Sequence, residues 1–184
     1  PEELAEMCRL IEAGMDAGAC GWSVQHLGDG FTSVQRDYDG TPMVTDCMSD
    51  ATCLAFAEVL RKRGGGHIQI TQAQEDIRED LIFVEKLAEV SECPVLFNVV
   101  SANNYHPRQS KRLVDWAEKA QARGNRIYLQ AVNVGNDLTY TFEDFNLLDG
   151  QEDWRDVTLG SVSERMEKMK DPARREKLRM DYDH

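Results

Sequence analysis

Pro94-Val95-Leu96-Phe97-Asn98-Val99-Val100 decides how this chain is read. The run is almost continuously apolar, follows Cys93, and gives way to a polar loop from Ser101 to Ser110. A strand with this pattern is expected in a parallel sheet covered on both faces. The flanking stretches agree. Before it, Ile77, Leu81, Val84, Leu87 and Ala88 recur at helical spacing between Asp76 and Val90. Earlier still, His67-Ile68-Gln69-Ile70-Thr71-Gln72 alternates and is rich in β-branched residues, which predicts a strand. After it, Leu113, Val114, Trp116, Ala117 and Ala120 predict a helix closed by Gly124, and residues 127–134 predict a fourth strand.

The same alternation extends toward both ends. Leu4, Met7, Cys8, Ile11 and Met15 predict a helix that stops at Gly18, a residue suited to a helix C-terminus. Residues 19–25 read as a strand, although Gly21 inside it argues against one. A polar loop over 26–49 contains Gly28, Gly30, Gly40 and Pro42, and a loop of that length is usually functional or disordered. Ser49-Asp50-Ala51-Thr52 supplies helix caps, and the next helix ends at Gly64-Gly65-Gly66. From Gly135 the chain is rich in aromatic and charged residues, among them Phe142, Phe145 and Trp154, with a helix expected over 161–169 before Asp171-Pro172. The order α-β-α-β-α-β-α-β-α predicts an α/β fold of about four parallel strands with right-handed crossovers. Residues 1–134 hold the repeated βα units. Residues 135–184 form a C-terminal segment expected in the same domain. An open doubly wound sheet and a piece of a closed barrel both fit this order, and periodicity does not separate them.

The composition excludes several functions. The net charge of −12 and a pI near 4.8 disfavour nucleic acid and anionic membranes, which call for a basic surface. No apolar run approaches the roughly 20 residues of a membrane helix. The five cysteines, Cys8, Cys20, Cys47, Cys53 and Cys93, have no disulfide-framework spacing. They are expected as reduced thiols, mostly buried, in a cytoplasmic protein. The chain opens at Pro1 directly in a helical pattern, and the expectation is a portion of a longer protein. GxGxxG and GxxxxGK[ST] fingerprints are missing, as are HExxH, HxH and CxxC pairs.

Ligands of parallel α/β folds meet the carboxyl ends of the strands. Those ends carry Ser23 to His26, Thr71 to Gln74, Asn98 through Asn103, Asn104, Tyr105 and His106, and Gln130 through Asn133 and Asn136. They are rich in amides and hydroxyls, a composition suited to orienting a polar substrate by hydrogen bonds. Gln72, Asn98, Gln130, His26 and His106 are the candidate substrate-binding residues.

Leu10-Ile11-Glu12-Ala13-Gly14-Met15-Asp16-Ala17-Gly18-Ala19-Cys20-Gly21-Trp22-Ser23 resembles the helix-then-strand segment of amidohydrolases related to D-aminoacylase, the N-acyl-D-amino-acid deacylase branch. Gly40-Thr41-Pro42-Met43-Val44 is similar to the loop that follows in that family. Trp154-Arg155-Asp156, Glu164-Arg165 and Asp171-Pro172-Ala173-Arg174-Arg175 resemble its later stretch. The resemblance implies part of a (β/α) TIM-type barrel and a hydrolase acting on a non-peptide carbon–nitrogen bond. It also implies zinc, which would activate water and polarise the scissile carbonyl. This sequence departs from the family where two middle strands end in metal-binding histidines. The corresponding residues here are Ile70-Thr71-Gln72-Ala73 and Leu96-Phe97-Asn98-Val99. Amides are poor zinc ligands beside imidazole, so zinc is expected only in a longer parent chain and no ligand is expected among these residues. The expected partner is a small-molecule amide. Open strand edges would favour self-association, and residues 1–184 alone are expected to be inactive. A non-catalytic small-ligand module and a metal-free barrel enzyme are the rival expectations.

Overall fold

The computed structural model describes residues 2–28, 35–37, 39–41, 43–72, 77–101, 107–132, 135, 139–143 and 146–183. Eight elements alternate in the first part: α1 (Glu2–Asp16), β1 (Gly21–His26), α2 (Asp50–Arg63), β2 (His67–Gln72), α3 (Ile77–Ser91), β3 (Val95–Val100), α4 (Gln109–Ala122) and β4 (Ile127–Ala131). Three helices follow, α5 (Glu152–Thr158), α6 (Val162–Lys170) and α7 (Arg175–Asp183). The β2 strand has the bounds its alternation predicts. The β4 strand ends at Ala131, earlier than its apolar run suggests, although Val132 N still donates to Val100 O at 2.9 Å. Helices α5 and α7 are additions to the expected set.

All four strands are parallel, in the spatial order β1-β2-β3-β4. Each crossover adds the next strand on the same side, and the order never reverses. A doubly wound sheet needs such a reversal. The pairing of β3 with β4 shifts between Asn98 and Val100, which oppose Gln130 and Ala131, so Val99 is the extra residue of a bulge.

The chain clusters into two compact units. The first comprises Pro1–Asp29 and Met48–Gly135 and contains the sheet. Its core joins Val24, Ile68, Ile70, Val95, Phe97 and Ile127 of the strands to Cys53, Ala57 and Leu60 of α2, to Val84 and Leu87 of α3, and to Leu113 and Ala120 of α4. Helix α2 begins where Ser49 Oγ accepts from Thr52 N and ends at Gly64, whose left-handed φ of 73° lets its N–H reach the last carbonyls. Gly21 is the glycine that the sheet itself requires. Its φ is 154°, and a Cβ there would lie 1.8 Å from the backbone oxygen of His67. The residue that weakened the strand expectation is thus the one that lets β1 approach β2.

One expectation is overturned. The apolar run of β3 predicted cover on both faces, but only alternate residues are enclosed. Val95 and Phe97 are buried, Leu96 and Asn98 are half-buried, and Val99 is exposed. The cysteine expectation is also corrected. Cys53 and Cys93 are buried, Cys8 and Cys47 are intermediate, and Cys20 is exposed.

The second unit comprises Gly30–Cys47 and Asn136–His184. The long loop after β1 therefore groups with the C-terminal segment, a pairing that periodicity does not carry. A buried ion pair holds it: Arg36 Nε lies 3.0 Å from Asp149 Oδ2, and both side chains are fully enclosed. Asn146 N and Thr158 Oγ1 donate to the same carboxylate at 2.9 and 2.8 Å. Further along, Trp154 stacks on Phe142 and donates to Leu178 O at 2.9 Å. Ser161 and Glu164 form the capping box that starts α6. Among the described residues no helix is long and apolar enough to cross a membrane.

Candidate functional site

Residues of a strand point alternately to its two sides. In the first unit one side meets α2, α3 and α4. The other carries Ser23 and Gln25 of β1, Gln69 and Thr71 of β2, Leu96 and Asn98 of β3, and Tyr128 and Gln130 of β4. The register lines these up in two rows. Gln25, Thr71, Asn98 and Gln130 form the row nearer the carboxyl ends, and Ser23, Gln69, Leu96 and Tyr128 form the row behind it. Ser23 and Gln130 are exposed, as is Tyr128 at 48%.

Three side-chain hydrogen bonds link residues of this face, two within a row and one between the rows. Ser23 Oγ donates to Gln69 Oε1 at 2.7 Å. Gln69 Nε2 donates to Gln130 Oε1 at 2.9 Å. Asn98 Nδ2 donates to Thr71 Oγ1 at 2.9 Å. The second bond joins β2 to β4 over the intervening β3. Strand backbones two apart in a sheet are separated by about 9.6 Å. Two glutamines spanning that gap bridge this face above β3. Side-chain-to-side-chain bonds are a small minority in folded proteins, so three on one wet sheet face are more than strand pairing requires.

The two rows carry no charged side chain. Among their described residues there is no lysine, arginine, aspartate or glutamate. Their alcohols and amides neither gain nor lose a proton near neutral pH. Charged groups concentrate on the helix side instead. There Glu85 of α3 accepts from Trp116 Nε1 at 2.8 Å and from Arg123 Nη2 at 2.5 Å. Burial pushes the Glu85 carboxyl up, but the hydrogen bonds from Arg123 and Trp116 outweigh it and hold its pKa below the ordinary glutamate value.

The structure sorts the sequence candidates. Asn98 and Gln130 lie on the neutral face and are register partners. Gln72 pairs in register with His26 at the carboxyl end of β2. His26 is not a loop residue and does not line the face. It closes β1 on the helix side, fully buried, with its ring stacked on Phe83 at 4.9 Å and its Nε2 3.3 Å from Asp50 Oδ1. Cys53 lies near the same carboxylate, and burial, reinforced by the Asp50 charge, pushes its thiol up to about 12. His106 lies outside the described residues, as do Asn103, Asn104, Tyr105, Asn133 and Asn136. Gln69 was missed. A polar residue in mid-strand reads as a solvated one, and the available signal was its shared parity with Thr71.

The described residues do not fit a zinc site. No group of three or more histidine, cysteine, aspartate or glutamate side chains comes together among them. A cleft in the second unit, lined by Asp153, Asp171, Arg174 and Lys177, is a weaker candidate because its charges already face one another. Lys177 Nζ lies 3.9 Å from Asp153, and Arg174 pairs with both Asp156 and Asp171.

Fold and face together define an α/β protein unit with four parallel strands wound in one direction, one helix-covered side and one neutral polar side. Comparison with protein-family models, with curated proteins and with solved structures found no match.

Proposed function

We propose that the sheet is part of a (β/α)-barrel amidohydrolase and that its neutral face is inner wall, where it orients a small amide substrate. The observation that carries this is the hydrogen-bonded set Ser23–Gln69–Gln130 and Thr71–Asn98, which spans all four strands. Three further points support it. The strands are added in one direction, as in a barrel. The outer edges of β1 and β4 have no strand partner among the described residues, which is where further strands would pair. Resemblance to the D-aminoacylase branch supplies the chemistry, cleavage of a non-peptide carbon–nitrogen bond.

In this role the face binds and orients, while proton transfer and any zinc come from groups outside the described residues. Alcohols and amides hold a carbonyl in place and do not serve as the general base. The neutrality of the face also favours a second reading, a small-ligand module without catalysis. The test uses the longest chain the gene encodes, purified without added metal and assayed on N-acyl amino acids and simple amides. Amine release that chelators abolish supports the zinc hydrolase. Turnover that survives chelators moves the assignment to a metal-free barrel enzyme. Binding without turnover favours the module.

A further inference from the structure

Resting on the barrel reading, we infer that a second copy of this chain supplies the other half of the wall. β4 of each copy pairs with β1 of the other, and two four-stranded sheets close as one eight-stranded barrel. Four parallel strands are half the number that such a barrel holds. A half-turn about the barrel axis keeps strand direction, so β4 meets β1 of the second copy in parallel, as neighbours within the sheet already do. Neither edge is defended. Open edges are usually blunted by charge or proline. Gly21–His26 and Ile127–Ala131 hold no proline, lysine, arginine, aspartate or glutamate. The inner wall is then shared by two copies.

The helix layer is incomplete at the same two places, in opposite senses. At β4 a strand lacks helix cover. Leu129 and Ala131 share parity with the buried Ile127, but Leu129 is half-buried and Ala131 is exposed. At β1 a helix lacks something to cover. Leu4, Met7, Ile11 and Met15 recur at helical spacing in α1, yet none of its residues is buried. Asp16 of α1 pairs with Arg63 of α2 at 2.7 Å, and Leu10, about 120° round the helix from Asp16, is exposed. On α4, Trp116 reaches Glu85 of α3, while Val114, nearly opposite on the helix, is exposed. Each of these helices has a neighbour on one flank and bare apolar surface on another. Seating α1 of one copy beside α4 and over β4 of the other covers both. Charge favours the same seating. Helix α1 carries five carboxylates and one arginine, whereas residues 108–126 carry six basic and two acidic side chains. These opposite net charges attract across the roughly 10 Å between the axes of packed helices.

The experiment weighs the 184-residue protein by sedimentation equilibrium over a concentration series and follows its backbone amide exchange. The expected mass is twice the 20.9 kDa of one chain. Amides of Gly21–His26 and Ile127–Ala131 are expected to exchange more slowly in the dimer than in the diluted monomer. Leu10→Glu and Val114→Glu, at exposed positions, are each expected to weaken association at least about tenfold. Both are expected to leave the thermal midpoint of the diluted monomer unchanged. A single chain at every concentration overturns the inference. So does an open-ended series of larger oligomers, or a dimer that neither protects those amides nor responds to either substitution. A longest encoded chain that is monomeric with both sets of amides already protected also overturns it, and assigns the edges to strands of that chain. The expected dimer, beside a longest encoded chain that hydrolyses no amide, leaves this inference standing and removes the hydrolase reading. A 184-residue monomer beside an active longest chain does the reverse.

Discussion

On the helix side of the sheet, Val24, Ile68, Ile70, Val95, Phe97 and Ile127 are enclosed, with Ile68, Ile70, Val95 and Ile127 completely out of water. On the other side, one residue along each strand, stand Ser23, Gln69, Asn98 and Gln130, joined to one another or to Thr71 by hydrogen bonds. The same backbone carries both sets, and only parity separates them. Burial of apolar area is the main favourable term in folding, so the helix side supplies most of the stability. The polar side adds little because each of its bonds replaces a bond to water. What it supplies is direction, with donors and acceptors held in fixed places. The contrast predicts that stability and ligand binding can be damaged separately, by substitutions one residue apart.

The largest effect belongs to the point both sides depend on, the approach of β1 to β2. Gly21→Val places a side chain where a Cβ already meets the His67 carbonyl oxygen at 1.8 Å. Backbone has to move, and the expected loss is more than about 4 kcal/mol, seen as disappearance of a cooperative urea transition. Next comes the helix side. Ile70→Ala empties part of a fully enclosed site, and the expected loss is about 2 to 5 kcal/mol by urea unfolding. A loss below about 1 kcal/mol would mean that this side is not the stabilising one.

A smaller effect is electrostatic. The folded Glu85 pKa lies below its unfolded value because Arg123 and Trp116 hold the carboxylate. The stability this gives is complete above the unfolded value, near 4.3, and is lost as pH falls through the folded one. Glu85→Gln is expected to cost about 1 kcal/mol at pH 7 and progressively less as pH falls below the unfolded value. A cost that does not change with pH would remove the ion pair as its cause.

The helix side was the more legible in the sequence. Leu81, Val84 and Leu87 announce α3 by spacing, and the alternation of His67–Gln72 gives β2 its bounds. The direction of winding was not legible, because periodicity describes each element and says nothing of its neighbours. His26 was misplaced because residues 26–49 read as one polar loop; its shared parity with Trp22 and Val24 points to the helix side, where it lies. Asn98 and Gln130 were visible as polar residues at the ends of apolar strands. Their connection through Gln69 was not, since the bond from β2 to β4 depends on three strands being aligned. The loop 30–47 shows the same limit: the buried bond between Arg36 and Asp149 joins residues that no local pattern relates.

The smallest expected change in stability is also the sharpest probe of the contrast. Gln69→Val introduces a β-branched residue into β2, immediately before Ile70, and removes both hydrogen bonds in which Gln69 takes part. Valine favours strands, and the bonds it removes are partly replaced by water, so stability is expected to stay within about 0.5 kcal/mol. Gln130 then loses the partner that holds its amide across β3, and its orientation on this face is no longer fixed. Affinity for a small amide should therefore fall severalfold while the unfolding midpoint hardly moves. If stability falls by as much as it does in Ile70→Ala, the hydrogen bonds on this side belong to the fold, and the division between a stabilising face and a binding face fails. If neither property changes, the set of bonds is ornamental, and the binding groups must be sought beyond the sheet, in the loops that follow its strands.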